Sequence, residues 1–150
     1  AEPLIRSNAI GALPFLTELD DNVREAFEFG AVPMLVEMLY TQSNVLLLQN
    51  VAHTLGNFAM YSPECQSAIS DEHGVERIVD VMGLWAERLE SRFEMEIEDG
   101  SWSTRQDLLA KCCFAVWQIS DKNQAVRNAM PGIGGVPILI RFLAPTNEEV

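Results

Sequence analysis

Two histidines and three cysteines are the residues of this sequence best suited to metal binding or nucleophilic chemistry. His53 and His73 fall on different predicted helical segments, and neither has a second ligand at metal spacing. Cys65 is not part of a Cys-x-x-Cys pair. Asp71-Glu72-His73 sets two carboxylates beside an imidazole, but it precedes a glycine turn and reads as a solvated helix end. The adjacent Cys112 and Cys113 have two readings, a redox pair or small side chains packing along a helix, and the common burial of free cysteine favours packing. No Ser or Cys has a recognisable base partner. The GIGG at 132–135 precedes a helix with no strand pattern before it, so it reads as a turn rather than a phosphate loop. The expectation is a protein with no catalytic residues, no metal and no cofactor.

What must position these residues is a helical chain of 150 residues, 48% of them hydrophobic, with a net charge of −12. That length and composition suit a sizeable core. Acidity of this degree repels phosphate backbones, which argues against nucleic acid and favours a basic peptide or protein face. No apolar run approaches the ~18 residues that span a membrane. The opening Ala1-Glu2-Pro3 has no basic region of a signal peptide and no initiator Met, so the chain is expected to come from a longer one. An odd cysteine count without extracellular signs predicts reduced thiols in an intracellular protein, cytoplasmic, nuclear or both.

Self-similarity is the dominant feature. Residues 22–39, 64–82 and 124–143 each hold a short amphipathic segment, a glycine turn and an apolar helix. Phe27, Ile69 and Met130 are separated by 42 and 61 residues, as are Leu16, Phe58 and Ile119. Asp20, Ser62 and Asn123 keep the same spacing and are favoured N-cap types. The period is therefore 42, with about 19 extra residues in the second interval. Each unit reads as three helices. The first runs over 21–28, 63–70 and 123–130. The second follows breaks at Gly30, Gly74 and Gly134-Gly135. The third runs over 4–17, 45–60 and 105–120. Val32-Pro33 and Val136-Pro137 open two of the second helices, where proline loses no needed donor.

In the middle third helix Leu48, Val51, Ala52, Leu55, Phe58 and Ala59 form an apolar face, opposite a polar stripe of Asn50, His53 and Asn57. Ala9, Val51 and Cys112 share a register where small side chains allow close stacking. Residues 84–104 break the period. Ile78, Met82, Trp85, Leu89 and Phe93 keep one face apolar, which predicts a helix extending to about Arg92. Six acids and two bases lie between 84 and 104. The acidic stretch from Glu94 to Gly100 predicts a mobile loop. Ser103 with Gln106 three residues on forms a capping box. The insertion reads as a solvated loop or as a contact arm with Trp102 as its anchor.

GAVPMLVEML, GVERIVDVM and GGVPILIRFL resemble the second-helix motif of the armadillo family, and VAHTLGNFA and CCFAVWQIS resemble its third-helix motif. The resemblance implies a right-handed α-solenoid of about three repeats with a helix-plus-loop insertion, divided at 4–42, 43–83, 84–104 and 105–150. Within the family the chain is most similar to the importin-alpha nuclear-import adaptors, whose third helices carry a Trp-x-x-x-Asn ladder for basic extended peptides. The matching pairs are Gly11 and Phe15, His53 and Asn57, and Phe114 and Gln118; Asn57 alone carries the family's residue. Flagellar, vacuolar and cell-adhesion members of the family stay open beside the adaptor.

The resemblance implies a protein-interaction scaffold. Its concave third-helix face would hold an extended partner segment through Asn50, His53, Asn57, Lys111, Phe114 and Gln118. Asn57 would hold the partner's backbone, Phe114 would offer an apolar wall, and His53 would make binding pH-sensitive. A nuclear transport adaptor and a structural segment of a larger protein are the alternatives. Both ends read as internal repeats, which predicts self-association or dependence on neighbouring repeats.

Overall fold

A computed structural model describes residues 2–90 and 102–144, and among these the chain is all-helical, with no strand. The elements are α1 (Pro3–Leu16), α2 (Asp20–Glu28), α3 (Ala31–Thr41), α4 (Val45–Tyr61), α5 (Pro63–Asp71), α6 (Gly74–Glu90), α7 (Trp102–Ser120), α8 (Gln124–Ala129), a 3-10 turn over Met130–Ile133, and α9 (Gly135–Arg141). The predicted helices are present among the described residues, most with ends shifted by a residue or two and α7 starting three residues earlier than expected.

Local chemistry explains the starts. The Ser62 hydroxyl accepts from the Cys65 N–H at 3.2 Å, and the Asn123 side chain accepts from the Val126 N–H at 3.3 Å, as the spacing predicts. Asn44 caps α4 in the same way, accepting from the Leu47 N–H at 3.0 Å. The first unit differs. Leu19 holds the cap position, and Asp20 and Asp21 fill the first turn of α2, where their charge favours the positive end of the helix. Pro33 and Pro137 sit third in α3 and α9, still inside the turn whose N–H groups have no helical acceptor.

The turn before each second helix needs one left-handed residue. Gly30 (φ 82°) and Gly134 (φ 77°) supply it in the outer units, and in the middle unit it is His73 (φ 61°) rather than the expected Gly74. Gly74 answers a different need, close approach of α6 to Ile69 and Val36.

The helices pack in an order that repeats. The third helices α1, α4 and α7 lie side by side, α4 in the middle; the second helices α3, α6 and α9 do likewise, and the short α2, α5 and α8 pack beneath the third helices. Burial follows the predicted register. Val51 and Cys112 are fully buried, as are Phe58 and Ile119, whereas Ala9 at the edge of the row is exposed.

Helix ends are tied across the layers. The carbonyls of a helix's last turn have no partner within it. The Gln66 amide nitrogen in α5 donates to the Gln118 and Asp121 carbonyls at 2.7 and 2.8 Å, closing the end of α7. Arg77 in α6 donates from Nε to the Leu39 carbonyl at 2.8 Å, closing α3, while its guanidinium lies 5.0 Å from the Tyr40 ring centre.

In the 84–104 stretch, α6 continues past Trp85 to Glu90, and Ile78, Met82 and Trp85 are buried on the predicted face. The Arg88 guanidinium stacks 4.6 Å from the Trp85 ring centre. α7 starts at Trp102, so Ser103 stands inside the helix instead of capping it. The expected extension to Arg92 and the mobility of the loop from Glu94 to Gly100 lie outside the described residues.

Candidate partner-binding surface

The side-by-side packing of α4 and α7 brings part of the expected stripe together. The His53 and Phe114 rings meet edge to face with centres 5.8 Å apart. The Phe114 ring lies over Gly56, where no Cβ would fit, so a glycine in α4 lets an aromatic ring from α7 lie against the helix backbone. Lys111 stands close enough to His53 for its charge to act on the imidazole. Asn50 faces the other neighbour, its amide nitrogen 3.8 Å from where a Cβ on Gly11 would be. Gln118 is half-buried a turn further along α7, with its carbonyl bound by Gln66. Trp102 opens α7, and the anchoring role expected of its side chain lies outside the described residues.

Asn57 lies under the end of α1 and does not present its amide on this surface. It is buried, and its amide nitrogen donates to the Pro14 carbonyl at 3.1 Å and to the Thr17 hydroxyl at 3.0 Å. The Thr17 hydroxyl in turn donates to the Leu13 carbonyl at 2.6 Å. Both N–H groups of Asn57 therefore tie α4 to the end of α1, which leaves no donor for a partner's backbone.

Four residues outside the expected set belong to the same surface. Phe15, Leu46, Met60 and Trp117 are large, apolar and exposed. With the third helices aligned on Gly11, His53 and Phe114, all four project within about 60° of the His53 direction at 3.6 residues per turn. Phe15 and Leu46 project within the arc of the polar stripe, and Met60 and Trp117 project to the other side of His53, away from Asn50 and Asn57.

Electrostatics set His53 apart. Burial lowers its pKa from the ordinary imidazole value, the Lys111 charge lowers it further, and the Glu18 carboxylate opposes both. A depressed folded pKa means that the fold favours the neutral ring. The stability linked to it is present above the ordinary value, about 6.5, and is lost as pH falls through and below it. His53→Gln should therefore flatten the decline in Tm between neutral pH and about pH 5 relative to the parent chain. Parallel declines would show that His53 is not held neutral.

The cysteines offer no activated thiolate. Burial raises the thiol pKa of Cys112 far above its ordinary value, and Cys113 adds to the rise; burial also raises Cys113 and, as the leading cause, Cys65. These are packing residues, with the nucleophilic form suppressed. Among the described residues no three His, Cys, Asp or Glu side chains gather as metal ligands, and no helix is long and apolar enough to cross a membrane. A scan of protein-family models finds no match to this chain, and a search of curated proteins finds no relative.

Proposed function

We propose that the chain is a stretch of right-handed, armadillo-type α-solenoid working as a protein-interaction scaffold, with an extended partner segment lying across its third helices. The observation that carries this reading is the row of exposed Phe15, Leu46, Met60 and Trp117 around the His53–Phe114 pair, drawn from all three third helices. Exposed apolar side chains concentrated on one face mark binding surfaces. A rigid aromatic such as Trp117 loses little entropy on binding and is a frequent hot spot. The partner segment should carry apolar side chains for Met60 and Trp117. The surplus acidity favours basic residues beside them.

The test is selection from a displayed library of linear peptides, followed by affinity measurements on Trp117→Ser and Met60→Ser. The expected result is enriched peptides with apolar side chains whose affinity falls about tenfold or more on Trp117→Ser, with Tm unchanged. Failure to enrich any peptide, or equal affinity for parent and variants, would defeat the proposal. The nuclear-adaptor reading is the weaker one, because both Asn57 donors are engaged within the fold. It predicts instead strongly basic peptides with steep salt dependence.

A further inference from the structure

We propose that the cleft between α6 and α9 is a second binding site, which takes a tyrosine side chain presented by a partner protein. The site is built from second helices, and it does not depend on peptide binding at the third helices.

Two junctions between second helices can be compared within the chain. The left-handed residues Gly30, His73 and Gly134 set α3, α6 and α9 in one register. α6 packs on α3, and α9 packs on α6. The hydrogen bonds at the two junctions correspond as well. The His73 carbonyl accepts from the Arg77 N–H at 3.2 Å, and the Gly134 carbonyl accepts from the Ile138 N–H at 3.5 Å.

An aromatic side chain closes the first junction. The Tyr40 hydroxyl donates to the His73 carbonyl at 3.4 Å, and the Tyr40 ring centre lies 5.0 Å from the Arg77 guanidinium. At the second junction Gly83 stands in the place of Tyr40, and Ile138 in the place of Arg77. What remains there is a pocket of about 380 Å³, a size typical of ligand sites. Among the described residues its apolar walls are Val79, Ile133, Pro137 and Ile138. Gly134 also lines it, and its carbonyl corresponds to the one that accepts from Tyr40.

Packing does not call for the glycine. A Cβ at Gly83 would meet nothing within 4 Å, unlike Gly56 and Gly74, where it would collide with a neighbour. Gly83 lies inside the 17-residue helix α6, where glycine is the least favourable residue apart from proline. What the glycine provides is open space. That space suits a phenol ring with a hydrogen-bond acceptor at its far end. Asp80 and Arg141 line the pocket with one charge of each sign, which favours a neutral phenol over an anionic ring. A tyrosine from a partner would repeat the contact of Tyr40, with Ile138 offering apolar surface where Arg77 offers a cation.

The test is NMR of the 15N-labelled 150-residue chain, titrated with p-cresol and with three blocked tripeptides: alanine–tyrosine–alanine, its phenylalanine counterpart and trialanine. The tyrosine tripeptide should shift the amides of Gly83, Gly134 and Ile138. The phenylalanine tripeptide should bind there about fivefold more weakly, for want of one hydrogen bond, and trialanine should leave these amides unmoved. Gly83→Tyr supplies the ring from α6 itself and should fold without responding to the tyrosine tripeptide. Gly83→Leu serves instead if circular dichroism shows that the tyrosine is not accommodated. No shift at these amides with the tyrosine tripeptide overturns the proposal. Shifts with p-cresol alone overturn it too, since the pocket would then take free phenols rather than a partner's side chain. Equal affinity for the phenylalanine tripeptide would remove the role of the Gly134 carbonyl and with it the choice of tyrosine. An undiminished response in the folded Gly83 variant would place the peptide elsewhere. Trp117→Ser should leave the response at this pocket unchanged, so this proposal and the third-helix reading fail separately.

Discussion

Asn57→Ala lowers the stability of the chain by about 2 kcal/mol, through loss of the tie between α4 and the end of α1. The Pro14 carbonyl falls in the last turn of α1, past the reach of that helix's own hydrogen bonds. Asn57 meets it at 3.1 Å from a buried position, and its second N–H meets the Thr17 hydroxyl at 3.0 Å. Alanine leaves both acceptors without that donor where little water reaches, and an unsatisfied buried polar group costs about 1–3 kcal/mol. For a chain of this length the expected fall in Tm is roughly 4–8 °C.

Asn57→Asp separates shape from donor capacity. An ionised carboxylate has the size of the amide but only accepts, and here it would face a carbonyl and a hydroxyl already directed at Leu13. It should destabilise at least as much as alanine, and more at neutral than at acidic pH, where protonation restores one donor. Thermal melts at two pH values check this. An unchanged Tm for Asn57→Ala with weakened peptide binding would show that the amide serves a partner instead.

The contrast between Asn57 and its helix shows what a single sequence discloses. The apolar face of α4 was legible because burial repeats with the helical period, and Val51, Leu55 and Phe58 lie where that period puts them. The neighbourhood of His53 and Phe114 was legible too, since a fixed repeat sets equivalent residues side by side. Asn57 projects inside the polar arc, between His53 and Asn50, and its partner is fixed by an open carbonyl on another helix, which no period within α4 records. The same applies to Gln66, whose acceptors Gln118 and Asp121 lie more than fifty positions away. Met60 and Trp117 were not legible as surface residues. An isolated apolar side chain on a helix is more often core than surface, and the sequence alone does not separate the two. The left-handed turn residue of the middle unit was missed because glycine beside it offered the commoner solution.

That turn yields two neighbouring substitutions of opposite sign. His73→Gly should stabilise by about 1 kcal/mol, because a side chain in the left-handed region costs roughly 1–2 kcal/mol and part of the gain is offset by the freer unfolded chain. Nothing else need change. The imidazole is exposed, and the bonds at this residue are made by its backbone: its N–H donates to the Ser70 carbonyl at 3.0 Å, and its carbonyl accepts from the Arg77 N–H at 3.2 Å and the Tyr40 hydroxyl at 3.4 Å. Gly74→Ala should destabilise by about 1–3 kcal/mol even though alanine is the better helix former. A Cβ there would come 2.6 Å from the Ile69 side chain and 2.9 Å from its carbonyl oxygen, with Val36 at 3.2 Å. Ile69 and Val36 are buried and have no room to yield, so α6 must lift from α3 and α5. Thermal melts of the two single variants and the double variant decide the matter. A rise in Tm for Gly74→Ala would mean that helix propensity outweighs the close approach, and a fall for His73→Gly would mean that the imidazole itself stabilises the turn.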